Sequence, residues 1–351
     1  MTSRAAVALF VAPLLLNVAL PGHGATPEKA AAPGSPPDDL QTMHAEPELR
    51  SLELLLEGFH IDKKYISMEG PQEKMPIMSA LPPDSTVWVR SMAVEMVDAE
   101  NEVISPEFLC HAWLSYRSSD GGGMMTVSQG TESVTLPEGF AFPVPNTANN
   151  RVMLIGMIEN NNYEVIDQKA AMKYTIGYYS DADAQRLGLE ALKPLNMVAR
   201  PDAPAVHSGT HRVAGLQSHH WLVPPGRHTY RSPVVRPMFQ SPGNPLGIGE
   251  NTRIHFMRVH LHGYGESVAL LDKTTGETIW TGYAENADGL RQIVRSDSYS
   301  DVEGVPLHRD HEYELEIVYD NPTDEPIDAM GAFRAFVSGD LVERRNFKRR
   351  R

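Results

Sequence analysis

The chain has 351 residues, a formal charge of −14 and one cysteine, Cys110. An acidic balance of this size disfavours nucleic acid as a partner, because phosphate contacts need a basic surface. A lone cysteine excludes an internal disulfide, so its thiol is buried, bound to metal or paired with another molecule.

The chain begins Met-Thr-Ser-Arg, runs apolar over 5–20, then reads Pro-Gly-His-Gly-Ala. A basic start, a short apolar stretch and a small-residue exit predict a secretory signal over 1–25. A retained membrane anchor is the other reading. The run is shorter than the ~20 residues that span a bilayer, and Pro13 and Asn17 interrupt it. No other stretch is long and apolar enough to span. The expectation is an exported protein, periplasmic or secreted, with no membrane span.

Residues 26–45 are rich in Pro, Ala and Gly and predict a flexible lead. A first domain is expected over 46–193. It opens on a candidate helix at 46–58, whose clustered leucines leave its buried face undecided. Alternating apolar runs at 86–97, 108–116, 152–158 and 172–179 predict strands. Residues 181–193 look helical. Three prolines in 194–206 suggest a link between domains. A second domain over 207–338 repeats the strand character, with a Pro-Pro-Gly turn at 224–226, a strand-like run at 254–272 and strands near 312–319 and 329–337. Residues 339–351 form a basic tail, either solvated or available to anionic lipid or a partner. Many short strands joined by turns predict an all-β chain, with two antiparallel, jelly-roll-like β-sandwich domains in series.

Within 254–272, Arg258, His260 and His262 fall two residues apart and project to one face of a strand. Two imidazoles so placed can reach one metal ion, or can be hydrogen-bonded core residues. Met330 is a core residue by default, since thioethers mostly fill gaps. Beside two imidazoles it makes a His2Met set, which suits Cu(I) and discriminates against zinc and hard cations.

The ordered set of Leu222-Val223-Pro224-Pro225-Gly226, Arg258-Val259-His260-Leu261-His262 and Met330 resembles the C-terminal domain of the type II, ascorbate-dependent copper monooxygenases. Peptidylglycine α-hydroxylating monooxygenase typifies them. The segments 91–98, 108–113 and 136–140 are similar to plant stress-up-regulated nodulin relatives of that family. The resemblance covers roughly 86–337. It implies that His260, His262 and Met330 hold the copper that activates dioxygen, and that Arg258 holds a substrate carboxylate. Arg334 shares the Met330 face and would favour an anionic substrate. Both arginines are equally readable as surface or ion-paired residues.

The chain also departs from the family. The storage copper of the first domain uses a His-His pair and a later histidine. Here the pair is Cys110-His111, and the later position falls near Met157, with no histidine in 152–162. Cys110, His111 and Met157 form an alternative Cys/His/Met metal set. Adjacent strand residues point apart, so Cys110 and His111 share an ion only across a bulge or strong twist. The other reading packs Cys110 as a small apolar residue.

Three functions follow. One is a mononuclear copper monooxygenase that hydroxylates a C–H bond of a small molecule or peptide, fed by an external reductant. Another is copper handling without oxygen chemistry. The third is a metal-free double sandwich that binds a partner. His207, His211, His219, His220 and His228 cluster in sequence and are expected to face solvent, with a second surface metal site as the alternative.

Overall fold

Leu52, Leu54 and Leu56 alternate, and in the computed structural model they turn to the core side of a strand, Arg50–Ile61, while Leu55 is exposed. The register slips between Leu56 and Phe59, where Gly58 takes φ 104°, and Phe59 and Ile61 return to the core. The helix expected at 46–58 is therefore a strand, because a period of two buries these leucines together. The structure describes residues 46–65, 69–118, 121–206, 219–236 and 243–342. The expected signal, most of the lead and most of the basic tail lie outside them.

The fold is all-β. In the first half, Arg50–Ile61, Gln168–Tyr179, Ser85–Val97, Phe140–Asn146 and Glu190–Ala191 form one sheet in that order, with Ser133–Thr135 also pairing Ser85–Val97. Gln72–Pro76, Arg151–Ile158, Leu109–Ser118 and Gly121–Ser128 form the second. Met92 and Val94 from one sheet meet Leu114, Val152 and Leu154 from the other in a shared core. The described ladders are antiparallel except Glu190–Ala191, which runs parallel to Phe140–Asn146.

In the second half, Lys193–Val198, Gly331–Ser338, Thr252–Leu261 and Ser298–Leu307 make one sheet. Gly226–Pro233, Tyr313–Asn321, Gly265–Asp272, Glu277–Asn286 and Ile293–Ser296 make another, and Trp221–Val223 pairs with Ile327–Ala329. Met257, Val259, Val268, Leu270, Ile317 and Phe333 fill the core between them.

The strand Thr252–Leu261 is buried on both faces. Met257 and Val259 point into their own sandwich, whereas Phe256, with Phe336 of the neighbouring strand, packs into the core of the first half. Arg258 and His260 share the Phe256 face, so the alternation that builds one core also aims these two residues at the other half.

Three boundaries differ from expectation. The helix at 181–193 is limited to Asp181–Leu187; the Ser180 side chain caps it and Gly188, at φ 62°, ends it. The link at 194–206 opens as a strand, Lys193–Val198, paired residue by residue with Gly331–Ser338. It is an edge strand, where Pro194 costs little because an outward position needs no N–H. The run 254–272 is two strands in different sheets, Thr252–Leu261 and Gly265–Asp272. The turn between them places Tyr264 at φ 73°, and Gly263 lies against Arg291 so closely that a Cβ would meet its backbone at 2.8 Å. Among the described residues no helix is long and apolar enough to cross a membrane.

Candidate metal centre

Four imidazoles run in file through the seam between the halves. Ring centroids of His220 and His262 lie 5.0 Å apart, those of His262 and His260 5.7 Å, and those of His260 and His111 4.7 Å. His111 comes from the first half and the others from the second. A pocket in the seam is lined by Cys110, His111, Ser128, Gln129, Glu159, His260, Leu261 and His262, all of them buried.

His260 and His262 are placed as expected, on the last turn of one strand and just beyond it. The Nδ1 of His262 donates to Asp328 Oδ2 at 2.8 Å, and the Nδ1 of His220 to Asp328 Oδ1 at 3.1 Å. A carboxylate only accepts, so both rings carry their proton on Nδ1 and turn a bare Nε2 outward. Burial pushes the Asp328 carboxyl up, but His262 and His220 outweigh it and hold it well below the usual range. Burial depresses His262 despite the carboxylate beside it. His260 and His111 fall well below the ordinary histidine value through burial, with the nearby Arg334 adding to it, so both rings are neutral.

Met330 sits at the break between Ile327–Ala329 and Gly331–Ser338. One hydroxyl ties it to His262. Tyr319 Oη accepts the backbone N–H of His262 at 2.9 Å and of Met330 at 3.2 Å, and donates to the Met330 carbonyl at 2.7 Å. The Met330 side chain packs against Val198 and Ala332. Ala332 is the cross-strand partner of His260, which puts Met330 on the His260 face of the sheet.

The first-half residues also come together. The pairing shifts from Leu109 with Ile158 to His111 with Met157, so Cys110 is the extra residue of a bulge. The bulge lets Cys110 Sγ approach His111 Nδ1 to 3.0 Å, and Cys110 packs with Met157 and Trp113. Beyond this group, His111 Nε2 lies 3.2 Å from His260 Nε2, and His260 Nδ1 lies 3.3 Å from Ser128 Oγ. The open cleft expected between the sandwiches is closed here by contact.

Arg258 and Arg334 are direct cross-strand partners on this face. Arg258 Nη1 donates to the Thr131 carbonyl of the first half at 2.6 Å, while its Nη2 and the Nε of Arg334 are buried without a hydrogen-bond partner. Burial and the neighbouring Arg334 pull Arg258 down to about 9, and burial pulls Arg334 to about 10. Neither is a surface arginine with an ion-pair partner. Glu159, at the edge of the pocket, is pushed up to about 7 by burial.

Sequence reasoning missed His220, Asp328, Ser128, Glu159 and Tyr319. His220 is largely buried and bound to Asp328 rather than facing solvent. His219 receives a hydrogen bond from Arg200 Nε at 3.0 Å, and His207 and His211 lie outside the described residues. Asp328 lies two residues before Met330, yet its partner His220 is 108 residues away, and no local pattern announces that pairing. His220, His262 and Asp328 also place their ligand atoms within 4.8 Å of one another, close enough to hold an ion by themselves.

The donor set fits a soft, low-charge metal. Several neutral imidazoles converge, each with its second nitrogen already hydrogen-bonded, and sulfur lies nearby. Two buried guanidiniums beside the rings penalise a divalent cation about twice as much as a monovalent one.

No family model matches the chain, and no curated protein matches it. Among solved structures the chain is similar to the major capsid protein P2 from bacteriophage PM2, at 9% identity and a TM-score of 0.32, over 83% of this chain and 100% of that one. At that score the likeness bears on neither the site nor its chemistry.

Proposed function

We propose that this is an exported copper-binding protein that holds Cu(I) through His260 and His262, with Met330 at the same end of the sheet. The observation that carries the reading is the pair of neutral, buried rings lining one pocket with their Nδ1 atoms already anchored on Ser128 and Asp328. Anchoring fixes which nitrogen faces a metal and removes most of the cost of ordering the ligands. Holding copper is favoured over turning over an external substrate, because every residue lining the pocket is buried.

A second reading, hydroxylation of a C–H bond in an anionic substrate, draws support from Arg258 Nη2 and Arg334 Nε. These are buried donors without a partner, on the His260 face. In that reading bound copper supplies dioxygen activation, the arginines orient the substrate anion, and an external reductant delivers electrons.

The test is a competition titration of the reduced protein with a chromogenic Cu(I) chelator. Wild type is expected to retain Cu(I), and the His260→Ala and His262→Ala variants to release it. If micromolar wild-type protein leaves all Cu(I) on the chelator, the copper reading is wrong. Oxygen uptake with ascorbate and candidate anionic substrates, against a His260→Ala control, separates the two uses of the centre.

A further inference from the structure

We infer that a single ion is held jointly by His111 of the first half and His260 and His262 of the second, so that the metal closes the seam between the two sandwiches. This rests on the copper reading above and changes its third ligand. The sulfur of Met330 is replaced by a nitrogen from the other half.

The argument starts from one distance. Nε2 of His111 and Nε2 of His260 lie 3.2 Å apart. Donor atoms around a tetrahedral ion with bonds of ~2.0 Å to nitrogen are spaced ~3.3 Å apart. The two rings thus already stand at a coordination edge. Two separate ions, each bound to one of these nitrogens, would crowd into the same gap, so the geometry admits one.

The outer partners agree. His260 Nδ1 has Ser128 Oγ, His262 Nδ1 has Asp328 and His111 Nδ1 has Cys110 Sγ. All three rings can therefore keep their proton on Nδ1 and offer Nε2. Without metal, one of the two facing Nε2 atoms carries a proton to hydrogen-bond the other. On binding, His111 moves that proton to Nδ1, facing Cys110 Sγ, and no proton need leave the site. The three histidines line the same pocket. The Met330 side chain, by contrast, packs against Val198 and Ala332.

An ion so placed links residues 149 apart in sequence and binds only when both halves are docked. Its binding energy becomes docking energy.

The test uses the full protein loaded with Cu(I). X-ray absorption of the wild type should show a nitrogen shell alone; a Cu–S shell at about 2.3 Å would overturn the assignment. Chelator competition should give one Cu(I) per chain, with affinity falling at least tenfold in His111→Gln and staying at the wild-type value in Met330→Leu and His220→Ala. Thermal unfolding should show a Cu(I)-induced rise in Tm that His111→Gln abolishes. If His111→Gln keeps wild-type affinity while His260→Ala loses it, copper binds within the second half and this inference fails while the copper reading stands. Loss in His220→Ala with retention in His111→Gln would move the ion to the His220–Asp328–His262 group. If wild type binds no Cu(I), both fall.

Discussion

The two strands that meet at the seam deliver their histidines by different means. Thr252–Leu261 runs regularly through Arg258 and His260, and its last ring is gripped from behind: Asp328 holds the His262 side chain and Tyr319 its backbone. On the other side, Leu109–Ser118 bends at a bulge, and His111 is oriented by the sulfur of Cys110 and by stacking on Trp113 at 5.3 Å between centroids. A carboxylate–imidazole hydrogen bond is charge-assisted, whereas a thiol is a weak partner. The second half therefore presents a stiff, pre-set arm of the site, and the first half a softer one that is completed when the halves dock.

Ligand loss should break this arrangement most severely. His260→Ala removes the ring shared by both sides, and Cu(I) affinity should fall by more than about 100-fold, beyond the usual effect of an outer partner. The next two substitutions measure the asymmetry directly. Asp328→Asn removes the stronger anchor and should cost roughly 10- to 100-fold in Cu(I) affinity, whereas Cys110→Ser should cost about tenfold or less. Equal losses in the two titrations would erase the distinction between a stiff and a soft arm.

A smaller effect belongs to the tyrosine grip. Tyr319→Phe leaves the buried N–H groups of His262 and Met330 without their acceptor, and should destabilise the metal-free protein by about 1–3 kcal/mol in urea unfolding. A variant as stable as wild type would show that the grip is dispensable.

The smallest effect is a change of pH slope. Burial raises Glu159 from its ordinary 4.5 to about 7, so the folded state holds a proton that the unfolded chain releases. Its contribution to stability is fully present below about 4.5 and is lost as the pH climbs through about 7. The difference is worth on the order of 3 kcal/mol. Glu159→Gln cannot ionise, so the fall in stability between pH 5 and 8 should be shallower in the variant. Parallel pH profiles would mean that Glu159 is solvated in the folded protein.

Alternation made the sheets legible. The runs at 86–97, 108–116, 152–158 and 172–179 all fall on strands, because a period of two is a local property of the chain. The stretch 46–58 was misleading, since its clustered leucines suit either period until the Gly58 bulge re-phases the strand. The prolines of 194–206 suggested a link because a sequence does not show which strand will lie at an edge. The Cys110 bulge was a requirement the sequence could state but not meet, as bulges depend on the partner strand. Burial of His220 and its bond to Asp328 were illegible for the same reason: both depend on a pairing between distant segments.

By itself, then, the amino-acid order determined the all-β character, the shared face of Arg258 and His260, and the ring chemistry suited to a soft metal. Those follow from the strand repeat and from side-chain type, which are local. Only the tertiary structure decided which nitrogens face one another. His111 meets His260 because two sandwiches, each closed around its own core, dock through Phe256 and Phe336, and that docking sums contacts across the whole seam.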